Sequence, residues 1–439
     1  MLALEGKLRI VIKGGNVADF KNWNFKPRDV FISDGIITKI ADNISDKADK
    51  TISADGLYVL PGFIDMHAHF REPGREDEED FYTGSLSAIK GGFTTVCVMP
   101  NTQPAIDNPG MVRYVYKRCS EVGLIDILPV GAITKGRQGK ELTEMARMKE
   151  AGCVGFSDDG QWIENSLLMR RALEYSLMLD TIIIQHCEDK SLTKNGEMNE
   201  GTYSVLLGLE GMPATAEIVA IKRDLELAEL TNARLHITHL STKKGLEEIK
   251  TAKERGLKVT VDTCPHYLIL NEQAIGSYNT NAKVNPPLRT ESDRKALISG
   301  VSSGIIDCIS TDHAPHSPEE KDCEFASAEF GMIGLETAFV LGWELVMEEL
   351  IDPLRLVASF SLNPAKILGL NDRGEINEGM RADIVVFDPN VEWKYTSDEI
   401  VSRSKNTPFL GWQFKGRVRD VIAGGKLIME NFKHKEGEI

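Results

Sequence analysis

Apolar and polar residues alternate with a period of two at the start of the chain. The segments LRIVIKGGNV, DVFISDGIITKIA and TISADGLYVLPG read as short strands, with Gly14-Gly15 and Asp34-Gly35 as turn signals among them. The end of the chain has the same texture, in GEINEGMRADIVVFDP and RVRDVIAGGKLI. The pattern therefore predicts one small β domain, a β-sandwich assembled from residues 1–60 and 371–439.

Between these ends, over residues 61–370, the pattern changes. Apolar runs of strand length recur: GFIDMHAHF, GFTTVCVMPNT, IDILPVGAIT, GCVGFSDDG, TIIIQHCED, RLHITHLST, KVTVDTCPH and IIDCISTDHAPH. The stretches between them, such as TAEIVAIKRDLELAEL and KKGLEEIKTAKERG, carry helix formers at helical spacing. Eight strand–helix units predict an α/β fold, a (β/α)8 barrel. A doubly wound open sheet is the alternative. It is disfavoured because polar residues gather at the C-terminal end of every run, the end that forms the active site in barrels.

Composition narrows the class. The chain has 439 residues and a net charge of −15, which disfavours binding to nucleic acid. No apolar stretch approaches the roughly 20 residues that span a bilayer, and MLALEGKLRI lacks the apolar core of a signal peptide. The seven cysteines are scattered, with no C-x-x-C pair, which fits reduced thiols in a cytoplasm.

The candidate chemistry starts at the end of the first run, where His67, His69 and Arg71 follow one another at a spacing of two. Strand alternation aims the three side chains the same way. Two imidazoles converging at a barrel mouth suit a divalent metal such as zinc. An H-x-H pair alone is a weak signal, but other runs end in ligand types too. The fourth ends in Asp158 and Asp159, the fifth in His186, the sixth in His239 and the eighth in Asp312. Four histidines and two aspartates exceed one tetrahedral site; two metals sharing a carboxylate would use them all. His236 falls on the opposite face from His239 and is expected to pack against helices. His313 is expected to point away from the metals, His266 to be structural or to support a ligand, His434 to be solvated in a polar tail, and Cys187 to belong to the core.

Taken together, DMHAHFREPG, MPNT, GFSDDG, QHCED, THLST, NPPLR, STDHAPH and EFGMIGLET resemble the class I branch of the dihydroorotases, in the amidohydrolase superfamily. The resemblance runs over nearly the whole chain in family order. It implies the barrel, the small β domain and zinc, two ions per subunit or one. Carried over by residue, His67, His69 and Asp312 would hold one metal, His186 and His239 the second, and Asp159 would bridge them. Related amidohydrolases often place a carboxylated lysine on the fourth strand; VGFSDDG has none, so Asp159 takes that role. The resemblance also implies substrate contacts at His69, Arg71, Asn101, Asn285, His316, Phe330 and Gly331. The implied activity is reversible hydrolysis of dihydroorotate to N-carbamoyl-L-aspartate in pyrimidine biosynthesis, with Asp312 as general acid and base. A homodimer, and a complex with aspartate transcarbamoylase, are the implied partners.

A guanidinium suits a substrate carboxylate, although Arg71 has an alternative as the structural partner of Glu72 or of an acid in REDEED. The polar segment from His316 to Gly331 is long for a barrel loop and reads as a lid or as a solvated loop. Two rival functions remain open: a hydantoinase- or allantoinase-like cyclic amidohydrolase, and a noncatalytic partner of aspartate transcarbamoylase.

Overall fold

The computed structural model describes residues 8–435. All eight apolar runs form strands: β1 Phe63–Ala68, β2 Phe93–Val98, β3 Asp126–Gly131, β4 Gly155–Phe156, β5 Ile183–Gln185, β6 Leu235–Ile237, β7 Val259–Thr263 and β8 Cys308–Ile309. They are parallel and lie side by side in chain order. The barrel closes where the His69 N–H donates to the His313 carbonyl (2.8 Å) and the Asp312 N–H to the His67 carbonyl (3.0 Å). Both faces of β1 and β2 are buried, which is why these strands read as mostly apolar runs, interrupted by the buried Asp65, His67, Thr94 and Thr95. Met66, Cys97, Val130, Ile184 and Cys308 form an apolar cluster of their own. The predicted helices form at Thr215–Thr231 and Lys243–Glu254, the second capped by the Thr242 side chain.

Segments from both termini join in a single nine-stranded sheet. Its link is the antiparallel pairing of Tyr58–Pro61 with Ile384–Phe387. Asp34-Gly35 is the expected turn, joining Asn24–Ser33 to Ile36–Ala41. Gly14-Gly15 is not a turn. It is a bulge inside one long strand, Ile10–Asp19, with Gly14 at φ +69°. The first half of that strand pairs with Lys50–Ser53 and the second half with Tyr58–Val59, and the bulge lies where the partner changes. A second departure concerns His434. It sits in the short strand Lys433–His434 against Met429–Glu430, half-buried rather than solvated, and burial pushes its pKa down to about 4.

Between β5 and Thr215 the chain inserts two short helices, Lys190–Thr193 and Thr202–Leu207, and a small sheet of Met198–Asn199 with Gly211–Met212. This insertion supplies one wall of the mouth.

Candidate active site

The C-terminal ends of the barrel strands open into a cavity of about 860 Å³. His69, Arg71, Asn101, Asp159, His186 and His239 line it from the barrel. Asn285, Asp312, His316, Phe330 and Gly331 complete the predicted set. His67 lies beneath, fully buried.

Asp159 is the hub. Its Oδ1 is 3.3 Å from His67 Nε2, 3.7 Å from His239 Nε2 and 3.9 Å from His186 Nδ1, and its Oδ2 is 3.6 Å from His69 Nε2. Asp312 Oδ1 stands 3.2 Å from His69 Nε2 and 3.5 Å from His67 Nε2. His186 Nδ1 and His239 Nε2 are 2.9 Å apart. Six donors on five strand ends thus converge on one small volume. Asp158 does not join them; it accepts from the Ile133 and Thr134 N–H groups, each at 2.9 Å.

The ring orientations follow from the outer partners. Thr238 Oγ1 donates to Asp262 (3.1 Å), so His67 Nδ1–H, 2.8 Å away, must donate to Thr238, leaving the Nε2 lone pair inward. His69 Nδ1–H donates to Asn101 Oδ1 at 2.9 Å, with the same result. His186 turns its Nε2 to Glu188 Oε2 at 2.9 Å and its Nδ1 inward.

The charges reinforce each other. Burial would raise the Asp159 carboxyl, but His67, His239 and His69 hold it well below the usual carboxylate range. Asp312 is also held low, against burial, by His69, His67 and His239. Burial would lower His67, but Asp159 and Asp312 push it up to about 10, so a proton competes with a cation for its Nε2 lone pair. His69 moves down, through burial first, with Arg71 adding to it. The pocket is therefore anionic at its floor and draws positive charge. Two buried atoms there, His67 Nε2 and Asp159 Oδ1, have no hydrogen-bond partner. Unpartnered buried polar atoms are costly and rare. Imidazole and carboxylate donors left in this state fit a divalent cation of the zinc type.

Arg71 reaches the cavity and is also committed to the protein. Its Nε is 3.0 Å from the Pro315 carbonyl and 3.0 Å from Glu78 Oε2, and Nη2 is 3.2 Å from His316 Nε2. The acid of REDEED that pairs with it is thus Glu78. His316 Nε2 also lies 2.9 Å from the Phe330 carbonyl. The 316–331 segment covers one side of the cavity, tied down by Lys283, which donates to the Phe325 (2.7 Å) and Ala326 (3.0 Å) carbonyls.

The remaining histidines sort themselves by contact. His313 turns away from the donor cluster: its Nδ1 accepts from Gly334 N at 3.1 Å and its Nε2 faces Glu79 at 3.4 Å. Cys187 is core, 3.7 Å from Asp224. His266 is buried against Tyr267, and burial brings its pKa down to about 4. His236 differs from expectation. It contacts Thr260 Oγ1 and Asp262 Oδ2, both at 2.8 Å on the adjacent β7, rather than packing on helices. Strand alternation does not carry from His236 to His239, because β6 ends at Ile237 and His239 adopts φ +42°.

Sequence reasoning missed Glu188, which joins the cavity wall and contacts both His186 and Asn285 (Nδ2, 3.0 Å). Its position two residues after His186, on the same face, was the available signal. Thr238 and Asp262, which brace His67 and His239, were also missed.

Comparison with known proteins places this geometry. A family model described as "Dihydro-orotase-like" matches residues 56–245. The chain is 48% identical over 423 residues to a dihydroorotase from Ruminiclostridium cellulolyticum, covering 96% of this chain and 99% of that one. It is 45% identical over 425 residues to a dihydroorotase from Pelotomaculum thermopropionicum, covering 97% and 99%. Among solved structures, an L-hydantoinase (dihydropyrimidinase) from Arthrobacter aurescens superposes with a TM-score of 0.87 at 24% identity, covering 98% and 97%. A dihydropyrimidinase from Brevibacillus agri gives 0.84 at 24% identity, covering 97% and 96%, and both share this fold. At this identity to whole-length relatives, the chain belongs to the dihydroorotase family.

Proposed function

We propose that the chain is a metal-dependent dihydroorotase, opening the dihydroorotate ring to N-carbamoyl-L-aspartate and closing it in the biosynthetic direction. The observation that carries this reading is one cavity lined both by the Arg71 guanidinium and by His69, His186, His239, Asp159 and Asp312, with His67 converging on them from beneath. His67, His69 and Asp312 would hold one zinc ion, and His186 and His239 a second, with Asp159 shared. The ion's contribution, when bound, is Lewis acidity, which brings the deprotonation of water into the neutral range and polarises an amide carbonyl.

The chain's own residues do the rest. Asp312 is ionised and buried beside His69, so it can take a proton from the attacking water and return it to the leaving ring nitrogen. Arg71 holds the substrate carboxylate by paired N–H donors. His316 and Glu78 fix the angle of that guanidinium. Asn101 holds the His69 ring, and Asn285, Phe330 and Gly331 face the bound ring from the opposite wall. A hydantoin or dihydrouracil ring would leave Arg71 without its carboxylate, and intact donors at all six positions speak against a noncatalytic partner.

The same reading takes residues 1–60 and 371–439 as one small domain around a barrel of residues 61–370. It places the enzyme in the cytoplasm, in keeping with seven free cysteines and with the lack of any helix, among the described residues, long and apolar enough to cross a membrane. It further includes a homodimer able to associate with aspartate transcarbamoylase. The test is ring opening of dihydroorotate, with metal content assayed on the same sample. Zinc-dependent turnover is expected; no turnover by zinc-loaded protein would overturn the reading.

A further inference from the structure

Glu188 lies in the cavity wall and is not one of the six converging donors. Its buried carboxylate has three partners: His186 Nε2 at 2.9 Å and Asn285 Nδ2 at 3.0 Å on Oε2, and the Thr193 hydroxyl on Oε1. A carboxylate offers acceptors only, so both nitrogen partners must donate. For His186 this assigns the ring proton to Nε2 and the lone pair to Nδ1, the atom facing Asp159 and His239. For Asn285 it commits an Nδ2 N–H and leaves Oδ1 as the other end of the amide. That Oδ1 is buried and has no hydrogen-bond partner. An unpartnered buried acceptor beside a substrate cavity calls for a donor from the ligand.

The bland account of Glu188 is that it anchors the short helix Lys190–Thr193. That helix has its own cap, however: the Asp189 side chain accepts from Ser191 N at 3.0 Å. The Thr193 contact alone does not account for a carboxylate shared between a histidine and an asparagine from different parts of the barrel mouth.

We propose that Glu188 is a positioning residue serving both halves of the site: it sets the tautomer and ring angle of His186 toward the metal, and it turns the Asn285 amide so that its carbonyl oxygen accepts a ring N–H of the substrate. The proposal rests on the metal-dependent reading above. A ring amide or imide carries N–H groups able to satisfy Asn285 Oδ1. An analogue methylated on the nitrogen concerned would leave that oxygen unpaired and buried.

The test uses the zinc-loaded full chain with Glu188→Ala, Glu188→Gln, Asn285→Ala and the Glu188→Ala/Asn285→Ala double variant. Release of zinc to a chromophoric chelator is measured beside kcat and KM for dihydroorotate, and the melting temperature of the stripped proteins reports on folding. In Glu188→Ala the His186 metal equivalent should be held about 10–100-fold more weakly, as when other partners behind a metal-bound histidine are removed. Glu188→Gln keeps the volume and one acceptor oxygen, so it should fall between Ala and wild type even if the Ala variant folds poorly. Both single variants at Glu188→Ala and Asn285→Ala should raise KM, and the double variant should be little worse than the worse single, because the two act as a unit. Wild-type zinc release in both Glu188 variants would overturn the His186 half. Fully additive losses in the double variant would overturn the Asn285 half. Either failure in a zinc-loaded, active wild-type background leaves the proposed function standing; a wild type without zinc or turnover overturns that function and this proposal together.

Discussion

Replacing Arg71 by methionine should collapse the preference for dihydroorotate over dihydrouracil, the same ring without its carboxylate. An arginine has five N–H donors. Here the Nε–H is committed to Pro315 and Glu78, and one Nη2–H is blocked by the His316 ring, whose Nε2 donates to the Phe330 carbonyl. The three that remain suffice for a forked pair of bonds to a carboxylate. Each charge-assisted bond contributes about 1.5–3 kcal/mol. Two give about 3–6 kcal/mol, a selectivity of roughly 10²–10⁴-fold. The substitution also removes a partner from the buried Glu78, which keeps Arg75 Nη2 at 2.8 Å and His316 Nδ1 at 3.4 Å. That cost falls equally on both substrates and cancels in the ratio. The assay is kcat/KM for both rings in wild type, Arg71→Met and Arg71→Lys. The Met variant should lose the ratio by slowing far more on dihydroorotate than on dihydrouracil; the Lys variant should recover only part of it, since an ammonium lacks the fork. Equal losses on both rings would mean that Arg71 serves the fold through Glu78 and that the carboxylate is read elsewhere.

Removing a donor from the hub should remove metal: His239→Ala is expected to lose one zinc equivalent and most activity, and full metal content by elemental analysis would refute its assignment as a ligand. Asp312→Asn should fold and turn over very slowly, because an amide cannot accept the proton; near-normal kcat with full metal would rule Asp312 out as the acid and base. Gly331→Ala should raise KM several-fold and lower the melting temperature. Gly331 has φ +140°, and an added Cβ would meet Ala314 Cβ at 2.7 Å and His316 Nε2 at 3.0 Å, a strain on the order of 1–3 kcal/mol; an unchanged KM would show that His316 tolerates the displacement.

The barrel was legible because a strand buried on both faces is mostly apolar; β1, β2 and β5 are wholly buried and mostly apolar, with Asp65, His67, Thr94, Thr95 and Gln185 as their buried polar residues. The donor set was legible because polar side chains cannot end an apolar run at random: His67, Asp159, His186, His239 and Asp312 mark the ends of five strands. His67 and His69 obey the strand alternation, and both face Asp312. Beyond the last paired residue that rule has no force. Arg71, His239 and Asp312 adopt left-handed backbone at φ +58°, +42° and +48°, a conformation that non-glycine residues rarely hold without surrounding support. Their directions are set by barrel closure and by partners such as Asp262 and Glu78, far away in the chain or across a loop. The same holds for Glu188, whose role depends on Asn285 lying 3.0 Å away although 97 residues separate them. Local pattern reports which residues are buried and where strands stop. Which donor faces which acceptor is decided only when closure of the barrel brings distant strand ends within hydrogen-bond distance, where each buried polar atom must find a partner.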